Sequence, residues 1–507
     1  MWLPCGFRAV ASEVPDKPAI GFSECELSFG EVDRKSDALA AWLLDSGLRP
    51  ADRVGMLADH CPQAVLAYWA TLKARGISVS LNEQLTADGL EAVLDDCRPA
   101  VIFVTHKYLR SKLGSLAGSL DNCRVVEVDG EGSEFSSLLR TRVSHPVVEG
   151  RDDDIASIVY TSGSTGAPKG VCLTHRNLWT VVRGVIEHMP ILSDDSYLMV
   201  VPLHYVHGLM QLLVHQLAGA TIHFSGGFLF PKLVLDRLLR TRVTGFSGVP
   251  YHFAALIERA KFLETQLPDL RWITVTGGKM PVEQIRRIRR AKPALEIHIA
   301  YGQTECAPRA TALHPSKIDC KPNSVGSPIP GVDVLLLDEE GREVKRGGVG
   351  EVVISGDNVM AGYWGQPEAT AAVIDDRGWL HTGDIGRFDA EGDLFLEGRK
   401  NTMIKTAGER IFADELEAIL NRHSDVVEVL VVGVPDGVYG ERIEAHVRVA
   451  TVPDEDGQVR LIGELRRLCH TKVPFARAPK RYHIWSDFPR KANGKVDRIR
   501  LAEGSGT

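Results

Sequence analysis

The sequence predicts an α/β protein with a large N-terminal domain and a small α+β C-terminal domain. In residues 29–104, helical patterns of apolar residues alternate with short, fully apolar runs. That alternation is typical of parallel strands covered by helices on both faces of the sheet. Between about residues 324 and 396 the pattern changes to short strands separated by glycine turns, which indicates a β-rich subdomain. The 507 residues also exceed what one hydrophobic core accommodates.

The N-terminal half repeats a helix followed by a strand. In the first repeat, Phe29, Val32, Leu39 and Leu43 recur at helical spacing, and Gly47 offers a stop. The same reasoning predicts a strand at 54–57, a helix at 64–75, a strand at 77–80, a helix around 90–94, a strand at 101–104, and a continuation through 197–225 and 243–300.

The C-terminal part mixes the two patterns. The predicted elements are a hairpin around 404–411, a helix at 413–421, strands at 426–434 and 443–449, and a helix at 462–469. We expect the polar stretch 451–458 to form a surface loop and residues 502–507 to form a frayed tail.

Composition restricts the partners. A net charge of −7 argues against nucleic acid or an anionic membrane, and the basic run 285–291 has the spacing of one solvated helix face. The nine cysteines lack metal-ligand spacing, which is typical of reduced thiols. A signal peptide is not evident, and no window approaches the roughly 20 apolar residues of a membrane span. We therefore expect a cytoplasmic protein.

A Ser/Thr/Gly-rich loop is the most informative segment. Residues 160–170 read Tyr-Thr-Ser-Gly-Ser-Thr-Gly-Ala-Pro-Lys-Gly and follow a predicted strand at 155–160. Hydroxyl donors, close backbone approach at glycine and one lysine are what a triphosphate needs. In a P-loop NTPase the lysine would open a helix, but here Pro168 precedes Lys169 and Gly170 follows it. The candidate phosphate-binding residues are Thr161, Ser162, Gly163, Ser164, Thr165, Gly166 and Lys169.

Four further motifs follow in order. They are Tyr-Gly-Gln-Thr-Glu at 301–305, Trp-Leu-His-Thr-Gly-Asp at 379–384, Gly-Arg-Lys at 398–400 with the hairpin sequence 404–410, and Pro-Arg-Lys-Ala-Asn-Gly-Lys at 489–495. With the loop, they closely resemble the signatures of the adenylate-forming superfamily: acyl- and aryl-CoA synthetases, peptide-synthetase adenylation domains and firefly luciferase. The resemblance covers essentially the whole chain.

The resemblance implies a fold and a reaction. The fold is an N-terminal domain of layered αβαβα parallel sheets, residues 1–399, and a mobile C-terminal lid, residues 400–507. In the reaction, a carboxylate attacks the α-phosphorus of ATP, pyrophosphate leaves, and the acyl group of the adenylate passes to coenzyme A. Alternative acceptors are a carrier-protein thiol and an amine. A non-catalytic nucleotide-binding protein is disfavoured because the motif residues are all present. The implied partners are ATP, Mg²⁺, a small carboxylic acid and coenzyme A, with the protein as a monomer or homodimer.

The resemblance also assigns roles at the nucleotide. It places Mg²⁺ on Glu305, and that ion favours one or two carboxylates with phosphate oxygens. Thr304 would contact phosphate, Asp384 would accept hydrogen bonds from the ribose hydroxyls, and Arg399 would contact ribose and phosphate. Adenine would bind the Tyr301 ring, with close backbone approach at Gly277, Gly278 and Gly302.

Three candidate residues belong to the lid and one to the hinge. In the family the lysine matching Lys495 enters the site during adenylation and bridges carboxylate and phosphate. A second conformer directs the hairpin at Ala407 and Gly408 towards the site to form the thiol tunnel. The hinge position is usually Asp or Lys but is Asn401 here, a residue that tolerates unusual backbone angles.

The acyl pocket is expected around residues 202–208. Tyr205 stands where many relatives have a histidine, and no acid in this segment could hold an amino-acid ammonium group. An uncharged acyl or aryl acid is therefore expected. Lys279 faces either solvent, which we favour, or an anionic substrate group. The pocket candidates are His204, Tyr205, His207, Gly208, Gly248 and Cys306, the cysteine as lining and not as a nucleophile.

Overall fold

The chain divides into two compact units. The computed structural model describes residues 1–22, 25–116, 120, 122–129, 134–139, 149–162, 168–189, 191–400, 403–406, 409–437, 440–473, 478–489, 496 and 500–501. Unit 1 comprises Met1–Val334, Val353–His381 and Gly392–Leu394. Unit 2 comprises Leu335–Val352, Thr382–Glu391 and Phe395–Thr507. The boundary expected between residues 399 and 400 stays a prediction.

Helices alternate with strands along most of unit 1. The helices of the chain are α1 Leu3–Glu13, α2 Phe29–Asp45, α3 Pro62–Lys73, α4 Ala87–Cys97, α5 His106–Ser111, α6 Glu134–Leu138, α7 His175–His188, α8 Val206–Leu217, α9 Pro231–Thr241, α10 Pro250–Ala260, α11 Val282–Ala291, α12 Pro367–Ala371, α13 Ala413–Leu420 and α14 Glu455–His470. None of the described helices is long and apolar enough to cross a membrane.

The strands begin with β1 Pro18–Phe22, β2 Cys25–Ser28, β3 Arg53–Leu57, β4 Ile77–Ser80, β5 Val101–Val104, β6 Arg124–Glu127, β7 Ile155–Ser162, β8 Pro168–Thr174, β9 Ser196–Met199, β10 Thr221–Phe224, β11 Gly245–Gly248, β12 Trp272–Val275 and β13 Glu296–Tyr301. They continue with β14 Thr311–Leu313, β15 Ser324–Pro328, β16 Val332–Leu337, β17 Val349–Gly356, β18 Gly362–Tyr363, β19 Leu380–Phe388, β20 Leu394–Arg399, β21 Met403–Thr406, β22 Glu409–Phe412, β23 Val426–Asp436, β24 Gly440–Val449 and β25 Arg481–Trp485. The α/β fold and the strand-rich segment at 324–396 are confirmed.

Unit 1 contains two sheets. In one, the strand order is β15-β14-β13-β12-β11-β9-β10-β1-β2. In the other it is β18-β8-β7-β4-β3-β5-β6. Strands β11, β12 and β13 are parallel neighbours. Their carboxyl ends therefore share one sheet edge, where ligands of open α/β sheets usually bind.

Local sequence explains several helix boundaries. Helix α2 starts with a capping box in which Ser28 and Glu31 each satisfy the other's backbone amide. It ends before Gly47, whose φ of +89° is the left-handed conformation that suits glycine. Thr174 and Asn177 cap α7 in the same reciprocal way. The predicted helix–strand repeats in this half are confirmed, with shifts of a few residues.

In unit 2, strands β22-β21-β24-β23 form a sheet in that order, and β25 pairs with β24. The predicted start of the last helix was wrong. Helix α14 begins at Glu455, so half of the stretch expected as a loop is helical. Asp454 caps it by accepting a hydrogen bond from Gly457 N at 2.9 Å. The apolar face of α14 begins only at Leu461, so apolar periodicity could not reveal the earlier turns.

Candidate active site

The candidate phosphate-binding loop lies in sequence between two antiparallel strands. Thr161 at the end of β7 lies opposite Lys169 at the start of β8. The predicted strand before the loop is confirmed. The strand after it differs from the helix of a P-loop. Residues 163–167 and the Ser162 side chain lie outside the described residues.

Lys169 forms a cluster with Tyr363 and Glu305, which we call the Lys169 cluster. The Lys169 Nζ lies 4.9 Å from the centre of the Tyr363 ring. Tyr363 Oη donates a hydrogen bond to Glu305 Oε1 at 2.8 Å. Strand β18 carries Tyr363 here by pairing with β8, opposite Val171. The cluster thus joins two of the predicted motifs through a residue that belongs to neither.

Glu305 has the setting of a metal ligand. It lies in a short 3₁₀ helix, Thr304–Cys306, and its carbonyl accepts a hydrogen bond from Met360 N at 2.9 Å. Burial, and secondarily the Glu305 charge, raise the pKa of Tyr363, so the phenol stays protonated and donates. Within the described ranges, neither Lys169 nor Glu305 forms an ion pair. A carboxylate that forms no ion pair among the described residues fits Mg²⁺.

The residues expected at the adenine base lie at one sheet edge. Tyr301 ends β13 and is buried, while Gly277 and Gly278 follow β12. Gly277 has a φ of +75°. A Cβ on Gly302 would lie 2.2 Å from the carbonyl oxygen of Pro308, so this position needs glycine for the loop to fold back.

The expected acyl-pocket segment forms the start of α8. A Cβ on Gly208 would lie 2.1 Å from the carbonyl oxygen of Pro202, so the helix can pack closely only with glycine there. His204 Nδ1 lies 2.9 Å from Glu83 Oε2. Tyr205 is 47% exposed, and its ring centre is 4.2 Å from that of His204.

His207 turns towards the sheet. Its Nε2 lies 2.8 Å from Ser247 Oγ on β11. Burial, then the charges of Arg309 and His252, lower the pKa of His207 to about 3, so its imidazole is neutral. Gly248 ends β11, where a Cβ would lie 2.9 Å from His252 Nδ1.

Two side chains shape the loop after Glu305. Cys306 is fully buried, and its thiol donates to the carbonyl oxygen of Gln303 at 3.3 Å. Asn358 Nδ2 donates to the carbonyl oxygens of Cys306 and Arg309, each at 3.2 Å. Sequence reasoning missed Asn358 because it lies 52 residues from Cys306, outside every motif.

Asp384 and Arg399 form an ion pair in unit 2. Arg399 Nε on β20 lies 2.8 Å from Asp384 Oδ1 on β19. The Asp384 side chain is 8% exposed and that of Arg399 is 56% exposed. Thr382 Oγ1 accepts from Asp384 N at 3.0 Å, and Gly383 between them has a φ of +70°. The structure thus places a buried carboxylate and a half-exposed guanidinium together.

Of the remaining candidate residues, one is described by the structure and the others lie outside the described residues. Lys279 is exposed, as the favoured expectation of a solvent-facing lysine requires. The candidates outside the described residues are Gly163, Ser164, Thr165, Gly166, Asn401, Ala407, Gly408 and Lys495.

Known proteins resemble this chain along its whole length. Indoleacetate–CoA ligase of Aromatoleum aromaticum is 32% identical over 95% of this chain and 94% of its own. The ATP-bound crystal structure of MatB from Rhodopseudomonas palustris superposes with a TM-score of 0.87 at 26% identity, covering 99% of both chains. The o-succinylbenzoate CoA synthetase of Bacillus subtilis, in complex with its acyl-adenylate intermediate, gives 0.85 at 25% identity over 98% of this chain and 97% of that one.

Family profiles agree with these likenesses. The profile of the AMP-binding enzymes matches residues 7–364, and that of the AMP-binding enzyme C-terminal domain matches residues 415–495. The chain belongs to the AMP-binding enzyme family.

Proposed function

We propose that this protein is an AMP-forming ligase that activates a carboxylic acid with ATP and passes the acyl group to coenzyme A. The observation that carries the proposal is the Lys169 cluster. A cation and a carboxylate, neither with an ionic partner among the described residues, lie together beside a hydroxyl- and glycine-rich loop. A polyphosphate with its Mg²⁺ complements both charges.

The first step joins two anions, so its barrier depends on neutralised charge and fixed geometry. A carboxylate oxygen forms a bond to the α-phosphorus, the bond from that phosphorus to the bridging oxygen breaks, and pyrophosphate leaves. Lys169 binds phosphate oxygens, and Lys495 bridges the carboxylate and the α-phosphate. Mg²⁺, when bound at Glu305, supplies further positive charge to the phosphates.

Other residues bind the rest of the nucleotide. Thr304 and the hydroxyls of residues 161–165 donate to phosphate, and Asp384 accepts from the ribose hydroxyls. Tyr301 packs on adenine beside Gly277, Gly278 and Gly302. We place the hinge between domains 1–399 and 400–507 at Asn401. We also propose that the protein is cytoplasmic and is a monomer or a homodimer.

Two results are required of such an enzyme. Pyrophosphate should be released only when ATP, Mg²⁺ and a suitable acid are all present, and AMP and a thioester should then form with coenzyme A. A panel of acids, assayed with coenzyme A and separately with amines, tests both results. Amide formation without thioester formation would replace the coenzyme A acceptor with an amine. If ATP is hydrolysed at a rate that does not depend on any of the acids, the proposed ligase function is refuted.

Replacing Asp384 with alanine should weaken ATP binding by roughly 10- to 100-fold, because two ribose hydroxyls lose a charged acceptor. Calorimetric titration with ATP checks this. Asp376, an exposed carboxylate, provides the matched control Asp376→Ala, which should bind ATP like the parent. Unchanged affinity in Asp384→Ala would exclude the ribose role.

Replacing Gly408 with leucine should slow thioester formation by a large factor and leave pyrophosphate release nearly intact. The reason is that a side chain would obstruct the thiol tunnel, and transfer is sensitive to misplacement on the order of 1 Å. The two half-reactions are measured separately. Gly463→Leu is the control, because a Cβ there meets no atom within 4 Å. If neither thioester formation with coenzyme A nor amide formation with an amine changes in Gly408→Leu, Gly408 is only a turn residue.

A further inference from the structure

A buried arginine lies behind the loop that carries Glu305. Arg309 is 4% exposed, and its Nη1 is buried without a hydrogen-bond partner in the described part of the chain. Among the described residues no carboxylate forms an ion pair with it. Burial lowers the pKa of Arg309 only to about 10, so the guanidinium is a cation at neutral pH. A buried charge with no counter-charge is costly unless a ligand supplies one.

The sheet near this arginine carries buried polar side chains, and one of them, His298, responds to the Arg309 charge. Ser247, Thr274 and His298 occupy paired positions on the neighbouring strands β11, β12 and β13. Their side chains therefore point to the same face of the sheet. All three are at least 98% buried. Ser247 and Thr274 have protein partners, His207 Nε2 at 2.8 Å and Met189 Sδ at 3.7 Å, whereas His298 Nδ1 has none among the described residues.

Histidines complete the arrangement. His188, at the end of α7, has its ring centre 6.0 Å from that of His298. His188 Nε2 and His298 Nδ1 are both buried without a hydrogen-bond partner among the residues that the structure describes, whereas His298 Nε2 lies 3.4 Å from Glu296 Oε2. Burial, and after it neighbouring charges that include Arg309, lower the pKa of His188 to about 4 and that of His298 to about 3. Both imidazoles are therefore neutral, and each carries a single N–H, which in His298 points to Glu296.

The position of this cluster ties it to the segment assigned to the acyl pocket. His207, whose pKa also responds to the Arg309 charge, belongs to the segment that we assign to the acyl pocket. Ser247 contacts that same histidine. The phosphate-binding elements, β7 and β8, belong to the other sheet of unit 1.

We propose that Arg309 is a specificity-determining residue that binds a second carboxylate at the distal end of the acid, so that the substrate class is dicarboxylic. The inference rests on the proposed function and replaces the expectation of an uncharged acid. A carboxylate accepts charge-assisted hydrogen bonds from a guanidinium in matching planar geometry, and Arg309 has a buried Nη1 donor with no partner among the described residues. The first carboxylate remains the one that attacks ATP.

The test compares α,ω-dicarboxylic acids from oxalic to suberic, and phthalic acid, each with its monocarboxylic counterpart. The readouts are acid-dependent pyrophosphate release and calorimetric titration with the acids alone. The parent protein should prefer a dicarboxylic acid. In Arg309→Met, kcat/KM for that acid should fall at least about tenfold, and kcat/KM for the monocarboxylic counterpart should stay the same or rise. Arg309→Lys should retain part of the preference for the dicarboxylic acid over its monocarboxylic counterpart.

Arg286→Met is the matched control, because Arg286 is an exposed arginine on α11. Arg286→Met should leave kcat/KM unchanged for both the dicarboxylic acid and its monocarboxylic counterpart. An equal loss with both kinds of acid in Arg309→Met would mean that Arg309 serves the reacting carboxylate or the fold, and would overturn the proposal. A parent protein that adenylates only monocarboxylic acids would also overturn it, while the ligase function would stand. If no acid releases pyrophosphate, the ligase function fails, and the titrations alone decide whether Arg309 binds a dicarboxylate.

Discussion

Replacing Lys495 with alanine is expected to reduce acyl-adenylate formation from acid and ATP by roughly 10²- to 10³-fold, the usual effect of removing one group that stabilises developing charge. Thioester formation from supplied acyl-adenylate should be largely spared, because the role that we propose for the lysine belongs only to the adenylation conformer. Pyrophosphate release measures the first half-reaction, and thioester formation in single turnover measures the second.

The comparison of half-reactions makes this test specific. A variant that misfolds would lose both reactions and would also melt at a lower temperature. Lys472→Ala removes an exposed lysine from the same domain and should change neither half-reaction. Equal loss of both half-reactions in folded Lys495→Ala would remove Lys495 from the adenylation step.

Glu305→Gln is expected to slow adenylation by roughly 10²-fold and to raise the Mg²⁺ concentration needed for half-maximal rate. Glutamine keeps the size of the side chain and an oxygen that can accept from Tyr363, but it lacks the negative charge that Mg²⁺ requires. Pyrophosphate release measured against Mg²⁺ concentration gives both quantities.

Tyr363→Phe provides the matched comparison for Glu305→Gln. It removes only the 2.8 Å hydrogen bond to Glu305 and keeps the ring that faces Lys169. We expect a decrease of about tenfold or less, with a nearly unchanged Mg²⁺ requirement. A Mg²⁺ dependence that is the same in Glu305→Gln as in the parent would show that this carboxylate does not bind the metal.

Motifs that are continuous in sequence were the most predictable part of the site. The strand, the phosphate-binding loop and Lys169 are local features, since β7, the loop and β8 follow one another along the chain. The alternation of helix and strand was predictable for the same reason, because burial on both faces gives parallel strands a continuous apolar pattern. The early turns of α14 were not predictable from apolar periodicity, because their side chains are mostly polar and only the Asp454 cap marks the start of the helix.

The sequence by itself determined the α/β class, the family resemblance and the identities of Lys169, Glu305 and Asp384 as candidate ligands. The tertiary structure alone decided that Tyr363 joins the first two of these, since it is 58 residues from Glu305. It likewise decided that Arg309 is buried near His188 and His298 and forms no ion pair with a carboxylate of the described ranges. Apolar periodicity and short motifs record local conformation, whereas the electrostatic setting of a side chain depends on strands and helices that are distant in sequence and adjacent only after folding.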